Sequence, residues 1–304
     1  MTVQPLVAEA SPKMALSGIV CPTLEPALRA ERALREHRFE DAAKNMASIP
    51  QDSLIGRYWC ALLASSERLA RRDLAGAETL AWQAVGNAAT LQLKGSSGPE
   101  GCVERLIARA LNQLGVILRR EERAGEAIEL HRLALRLRAE HGSTEEQWDT
   151  LIECALDTDL TGDLDEAIGS IREALAMAAL STERPEAKRA IASDHLVRLL
   201  TRAGRFEEAV AAARSAKSHW VADDAGAGAV FAADVRLAGA LITEQVARRE
   251  AGDECHNAAL EEAETLLASA AEALTAFGPA LDADVCWARA QRDFVRRLHD
   301  DASA

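Results

Sequence analysis

Residues 110–142 read ALNQLGVILRREERAGEAIELHRLALRLRAEHG, and this stretch decides the fold. It holds an apolar helix, a short polar break and a second apolar helix. Two later stretches repeat the plan. Residues 148–178 read WDTLIECALDTDLTGDLDEAIGSIREALAMA, and residues 190–220 read AIASDHLVRLLTRAGRFEEAVAAARSAKSHW. Each break leads into an acidic-Ala step: Glu126-Ala127, Glu166-Ala167 and Glu208-Ala209. Seven residues on, a second alanine follows: Ala134, Ala174 and Ala216. Residues seven apart lie on one helix face about two turns apart, and small side chains there let another helix approach closely. Gly162 and Gly204 supply backbone freedom at the break. Asp165-Glu166 and Glu207-Glu208 place negative charge at the positive start of the next helix. The step recurs after 40 residues, Ala127 to Ala167, and after 42, Ala167 to Ala209. A period in this range is the signature of stacked helix pairs.

Working outward, weaker copies flank the three. Arg38-Phe39-Glu40-Asp41-Ala42 marks a first turn and helix, which ends near Pro50. Leu74-Ala75-Gly76-Ala77-Glu78, followed by Ala84, marks a second, with its first helix placed only to within one or two residues. A sixth unit runs from about Ala229 to Thr275, with a longer turn at Gly252 to Asn257. A last helix over about Leu281–Leu298, with Val285, Trp287, Phe294 and Leu298, reads as the cap that the end of an array needs.

Composition agrees. Of 304 residues 48% are apolar, mostly Ala and Leu, and only 4% are aromatic, which favours helices over sheets. A net charge of −13 argues against nucleic acid, which needs a basic face to displace counterions. No run of about 18 apolar residues occurs, so no membrane span is expected. The six cysteines are spread out with no C-x-x-C pair, as in a protein kept reduced in the cytoplasm. Residues 1–26 contain four prolines and read as a flexible leader, residues 27–277 as the repeat array, and 278–304 as capping helix and tail. KGSSGPEG at 94–101 reads as an inter-repeat loop, because no Gly-Lys-Ser/Thr closes a phosphate motif there.

The pattern resembles the tetratricopeptide repeat family, and the long period resembles its kinesin-light-chain-like branch. Leu114-Gly115, Ala127 and Ala134 match the family's small positions. So do Cys154-Ala155, Gly162, Ala167 and Ala174, and Leu196-Val197, Gly204, Ala209 and Ala216. Glu122 stands where the family places the turn glycine, a departure. The resemblance covers about residues 27–275 and is strong over 108–217. It implies an all-α, right-handed α-solenoid of about six helix pairs with a C-terminal capping helix. It also implies a binding groove lined by the first helix of each pair. By motif, the third repeat presents Arg109, Asn112, Gln113, Val116, Arg119 and Arg120. The fourth presents Asp149, Ile152, Glu153, Leu156, Asp159 and Leu160, and the fifth Ile191, Asp194, His195, Arg198, Thr201 and Arg202. These positions fall on one helix face. Asn112 and Gln113 suit a peptide backbone, and Arg119, Arg198 and Arg202 suit carboxylates.

Several chemical motifs reduce to this architecture. Asp157 to Ile168 mimics a calcium loop, yet its twelfth position is Ile168 where a bidentate Glu is required. Ser193, Asp194 and His195 hold triad residue types, but neighbours on a helix point about 100° apart. Cys255-His256 lacks the second ligand pair of a zinc site. His131 falls where the second helix packs a large residue, so a core histidine is expected. Arg119, Arg120, Arg123, Arg132, Arg136 and Arg138 form a basic cluster with two readings: a solvated face with ion pairs such as Glu129 with Arg132, or an anion-capturing surface. The functional expectation is a scaffold or adaptor for a protein or peptide, a second copy of the chain included. It uses no metal or cofactor and carries no catalytic site. A ligand-sensing regulator is the first alternative and an enzyme in a helical-repeat fold the weaker one.

Overall fold

The computed structural model describes residues 24–95, 101–276 and 282–302. The described residues form thirteen α-helices and no strand. They pair as α1 (Leu24–Arg35) with α2 (Phe39–Ala47), α3 (Leu54–Ala70) with α4 (Leu74–Leu93), and α5 (Cys102–Arg120) with α6 (Ala124–His141). Then follow α7 (Thr144–Thr161) and α8 (Leu164–Ala178), α9 (Pro185–Arg202) with α10 (Phe206–Ala222), and α11 (Gly226–Ala251) with α12 (Asn257–Ala276). The last helix, α13 (Asp282–Ala302), packs on α12. Six pairs and a terminal helix are what the repeat reading requires.

Six alternating turns share one device. The chain enters the left-handed region at His37, Arg72, Glu122, Gly162, Gly204 and Gly252, with φ between 55° and 93°. At five of them the next amide reaches back to close the helix end: Arg38 to Ala33, Asp73 to Arg68, Arg123 to Leu118, Arg205 to Leu200 and Asp253 to Arg248. That bond satisfies a carbonyl the helix end would otherwise leave bare. Arg72 settles the second repeat's register, since α3 ends at Ala70 and α4 begins at Leu74. Starts are capped as well. Ser53 and Asp73 accept from Gly56 and Gly76 amides, and Ser143 and Glu146 form a reciprocal capping box.

The described residues divide into two compact units, one running to Ser170 and the other starting at Ile171, so the boundary falls within α8. In the first unit α1, α3, α5 and α7 meet one another in order, and α1, α3 and α5 each also pack on their own pair partner. Its core includes Tyr58, Trp59, Leu63, Leu114 and Ile117, each at most 2% exposed. The Tyr58 hydroxyl donates to the Leu106 carbonyl at 2.9 Å. In the second unit Trp220, Ala187, Ala190 and Ala233 join α9, α10 and α11. All six alanines of the repeat signature, from Ala127 to Ala216, are at most 1% exposed, as close helix approach demands.

Two details differ from the sequence reading. Helix α1 begins at Leu24, so Leu24–Pro26 are helical; proline in a first turn loses no hydrogen bond. In the expected cap Leu298 is buried but Phe294 is 38% exposed, so Phe294 does not cover the apolar end. Residues 1–23, residues 96–100 of the expected loop, Leu281 and the side chains of Val285 and Trp287 lie outside the described residues.

Candidate functional site

The expected groove residues of α5 and α7 share one layer of the first unit, where the two first helices touch. At their seam lies a buried polar network. His131, on α6, is wholly buried. Its Nε2–H donates to the Asn112 carbonyl at 3.1 Å, and its Nδ1 sits 2.5 Å from Asp157 Oδ2. The other oxygen of Asp157, itself fully buried, accepts from Arg119 Nη1 at 3.0 Å. Arg119 also pairs with the Glu153 carboxylate. Burial pulls the Arg119 pKa down, but the charges of Glu153 and Asp157 outweigh it and hold the pKa above its ordinary value. Gly115 makes this possible: a Cβ there would stand 2.5 Å from His131 Nε2. The histidine expected in the core is therefore there, with both ring nitrogens engaged.

Arg119 thus corrects the sequence reading. It is no open clamp for a ligand carboxylate, because two carboxylates of its own chain already hold it. Arg109 is likewise engaged, paired with Glu31 and lying 5.3 Å over the Trp59 ring. Ile152 and Asp159 are corrected too, being 7% and 1% exposed and out of a partner's reach. The rest of the set on these helices remains at the surface. Asn112, Gln113, Val116, Asp149, Glu153 and Leu156 are half-buried, and Arg120 and Leu160 are exposed. Asn112 and Gln113 stand out among them. The Asn112 Oδ1 and Gln113 Nε2 atoms are buried and have no hydrogen-bond partner among the described residues. An unpartnered buried amide costs about 1–3 kcal/mol, so neighbouring instances call for an explanation.

The basic cluster is mostly spent inside the chain. Arg123 binds Glu78, Glu121 and Glu126; Arg132 binds Glu129 and Glu166. Arg138 is 6% exposed and donates to the Glu146 carbonyl and Thr150 hydroxyl, with burial holding its pKa below the usual value. Ion pairs occupy Arg123 and Arg132, and hydrogen bonds in the interior occupy Arg138, which describes these three better than anion capture.

In the second unit, the fifth repeat's Asp194 takes a two-pronged hold from Arg236, 2.7 and 2.6 Å, and the indole N–H of Trp220 at 3.1 Å. Burial pushes the Asp194 pKa up against these favourable contacts. It fastens α9 to α10 and α11, and Ser193 beside it is 2% exposed, so the Ser-Asp-His trio is spent on packing. Ile191, His195 and Thr201 are half-buried, Arg198 and Arg202 exposed. The calcium mimic dissolves as well: Asp157 serves Arg119 and His131, and Asp163 accepts the Glu166 amide at 3.0 Å to cap α8. Among the described residues no group of three or more His, Cys, Asp or Glu is placed to hold a metal ion.

Sequence reasoning missed Glu31, Asp157 and Arg236 as partners of its arginines and aspartate. The one available signal was Glu153 and Asp157 at i and i+4 on one face of α7, opposite Arg119.

Paired helices joined by left-handed turns define a helical-repeat protein of tetratricopeptide fold. No protein-family model and no curated protein matches the sequence. Solved structures do. A signal-transduction ATPase with a tetratricopeptide repeat sensor from Pyrococcus horikoshii aligns with TM-score 0.66 and 16% identity, over 90% of this chain and 39% of that one. A kinesin light chain protein with nearly identical repeats from Podosopora anserina aligns with TM-score 0.52 and 17% identity, over 71% of this chain and 95% of that one. A Rap protein in complex with competence and sporulation factor aligns with TM-score 0.56 and 12% identity, over 93% and 77%. At these identities the likeness establishes the fold. Among the described residues no helix is long and apolar enough to cross a membrane.

Proposed function

We propose that the chain is a peptide- or protein-binding scaffold whose contact surface is the α5–α7 face, built around Asn112 and Gln113. The carrying observation is the half-buried face that Asn112, Gln113 and Val116 on α5 and Leu156 on α7 present where the two helices touch. A peptide unit offers both a donor and an acceptor whatever side chains it carries, and the amide side chains of Asn112 and Gln113 are the complementary type for an extended segment laid across α5. Val116 and Leu156 supply apolar contact beside them, and the Arg119–Glu153 pair forms a rigid wall. The ligand is a cytoplasmic protein segment in this reading. The fold likeness to NprR, solved in complex with its cognate peptide NprX, supports it by analogy.

The test uses a phage-displayed random peptide library selected on the intact chain, followed by anisotropy titration of a labelled selected peptide. Asn112→Ala/Gln113→Ala is expected to weaken binding roughly tenfold to a hundredfold. Thermal stability should hold or rise, because two unsatisfied groups are removed. Equal affinity in both proteins defeats the assignment. Arg119 is left intact in this test, since its loss would strand Asp157.

A second reading, a ligand-sensing regulator, is favoured by the likeness to a protein with a repeat sensor, of which the chain spans 39%. It differs in one measurable respect: the selected peptide then shifts the small-angle scattering profile, whereas a rigid scaffold leaves it unchanged.

A further inference from the structure

Helix α4 departs from the other second helices of the pairs. Its twenty residues, Leu74–Leu93, carry a single charged side chain, Glu78, whereas α2, α6, α8, α10 and α12 each carry three or more. Its buried face is all alanine: Ala77, Ala81, Ala84 and Ala88, each 0% exposed. On the opposite side runs a second stripe, Ala75, Thr79, Trp82, Gly86, Ala89 and Leu93. These six fall within about 40° of one line along the helix at 100° per residue. Their alternating spacing of four and three is the seam of a helix that packs against another helix. Yet among the described residues this face is left open: Trp82 is 48% exposed and Leu93 88%.

Gly86 adds an independent sign. Glycine is a poor choice within a helix, and it is retained where another backbone or a large side chain comes close. Among the described residues nothing comes close, for a Cβ at Gly86 would meet none of their atoms within 4 Å. The Trp82 indole N–H is already directed at Glu78, 3.4 Å away, and Glu78 is anchored by Arg123 at 3.1 Å. The ring is thus left to make apolar contact.

We infer that α4 is the contact helix of a symmetric dimer, in which two copies of this chain pair their α4 helices antiparallel about a twofold axis at the level of Ala84. That register follows from the stripe itself. It sets Trp82 against Gly86, Leu93 against Ala75, and Ala89 against Thr79 of the other copy, and by symmetry the reverse. A large side chain meets a small one at the centre and at both ends, so the surface is its own complement, as a twofold contact requires. Glu78 meets Thr90, so no like charges oppose one another along the seam. For a chain of net charge −13, this uncharged strip is where a second copy approaches without repulsion. The contact lies on α4 and does not depend on the peptide-binding reading of α5 and α7.

Sedimentation equilibrium on the full chain tests it, with far-UV circular dichroism to confirm folding. The wild type is expected at twice 32.6 kDa. Trp82→Gly opens a gap and Gly86→Trp sets two indoles against each other, so each alone is expected to weaken the dimer at least tenfold. The double variant Trp82→Gly/Gly86→Trp restores a large-against-small match in this register alone, and dimerisation should return. Gly86→Ala, a mild change that favours the helix, should fold more stably yet associate less. A wild-type chain that stays monomeric at a concentration on the order of 100 µM overturns the proposal and assigns the face to another occupant. Single variants that remain dimeric, or a double variant that does not recover, overturn it as well.

Discussion

Gly115 and His131 show how one missing side chain organises a site. The ring of His131 occupies the space a Cβ would take at Gly115, 2.6 Å from its Cε1. It cannot retreat, because the Asn112 carbonyl holds one end and Asp157 the other. Gly115→Ala is therefore expected to destabilise the chain by about 2 kcal/mol, read as a lower urea midpoint, although alanine is the better helix former. In a His131→Ala background most of that penalty should vanish, giving a coupling of about 1 kcal/mol or more between the two positions. Additive effects would mean that the ring is not what glycine accommodates. The small pair Leu114-Gly115 was readable in the sequence as a repeat position. Its purpose was not, since Asp157 meets His131 from 26 residues away in sequence and Arg119 from 38. Periodicity reports which face a residue occupies; it does not report which charge waits opposite.

At the scale of the element, the turns carry the lesson. The helices were legible because alanine pairs seven residues apart, acidic starts and glycine breaks all repeat, and each of these acts locally. Glu122 looked like a departure from that pattern, yet its φ of 63° lies beside the 71° of Gly204. The turn is imposed by the packing of the two helices it joins, and Glu122 is held in a conformation that costs an L residue about 1–2 kcal/mol. Glu122→Gly is expected to stabilise the protein by about 1 kcal/mol after glycine's greater freedom in the unfolded chain is counted. Gly204→Ala should do the opposite by a similar amount. No atom of the chain lies within 4 Å of a Cβ built at Gly204, so that loss is a backbone effect alone. Urea midpoints moving in opposite directions would establish a shared turn; two neutral substitutions would refute it. The groove was legible less well than the turns. The burial of Ile152 and Asp159 was not readable, because the edge of a helical stripe shifts from groove to core with a small rotation of α7.

For the whole molecule, the decisive property is that contacts stay near the diagonal. Within each unit the helices pack mainly on their neighbours in sequence, as α9 does on α10 and α11. Bonds such as that from Arg109 on α5 to Glu31 on α1 reach farther. Stacked repeats distribute stability repeat by repeat, so a local defect should stay local. Asp194 provides the test, since it holds Arg236 and the Trp220 indole at once. Asp194→Ala leaves both donors without their acceptor, at an expected cost of about 1.5–3 kcal/mol. Native-state hydrogen exchange should then quicken by roughly ten- to a hundredfold in α9, α10 and α11. Amides of α3 and α5, anchored by Tyr58 and Trp59 in the other unit, should keep their protection. A uniform rise across all the helices would mean that the chain opens as one body, and stability would then belong to the molecule rather than to its repeats. Local opening would instead let the peptide-binding face around Asn112 and the α4 surface be altered one at a time, which the variants proposed for each of them require.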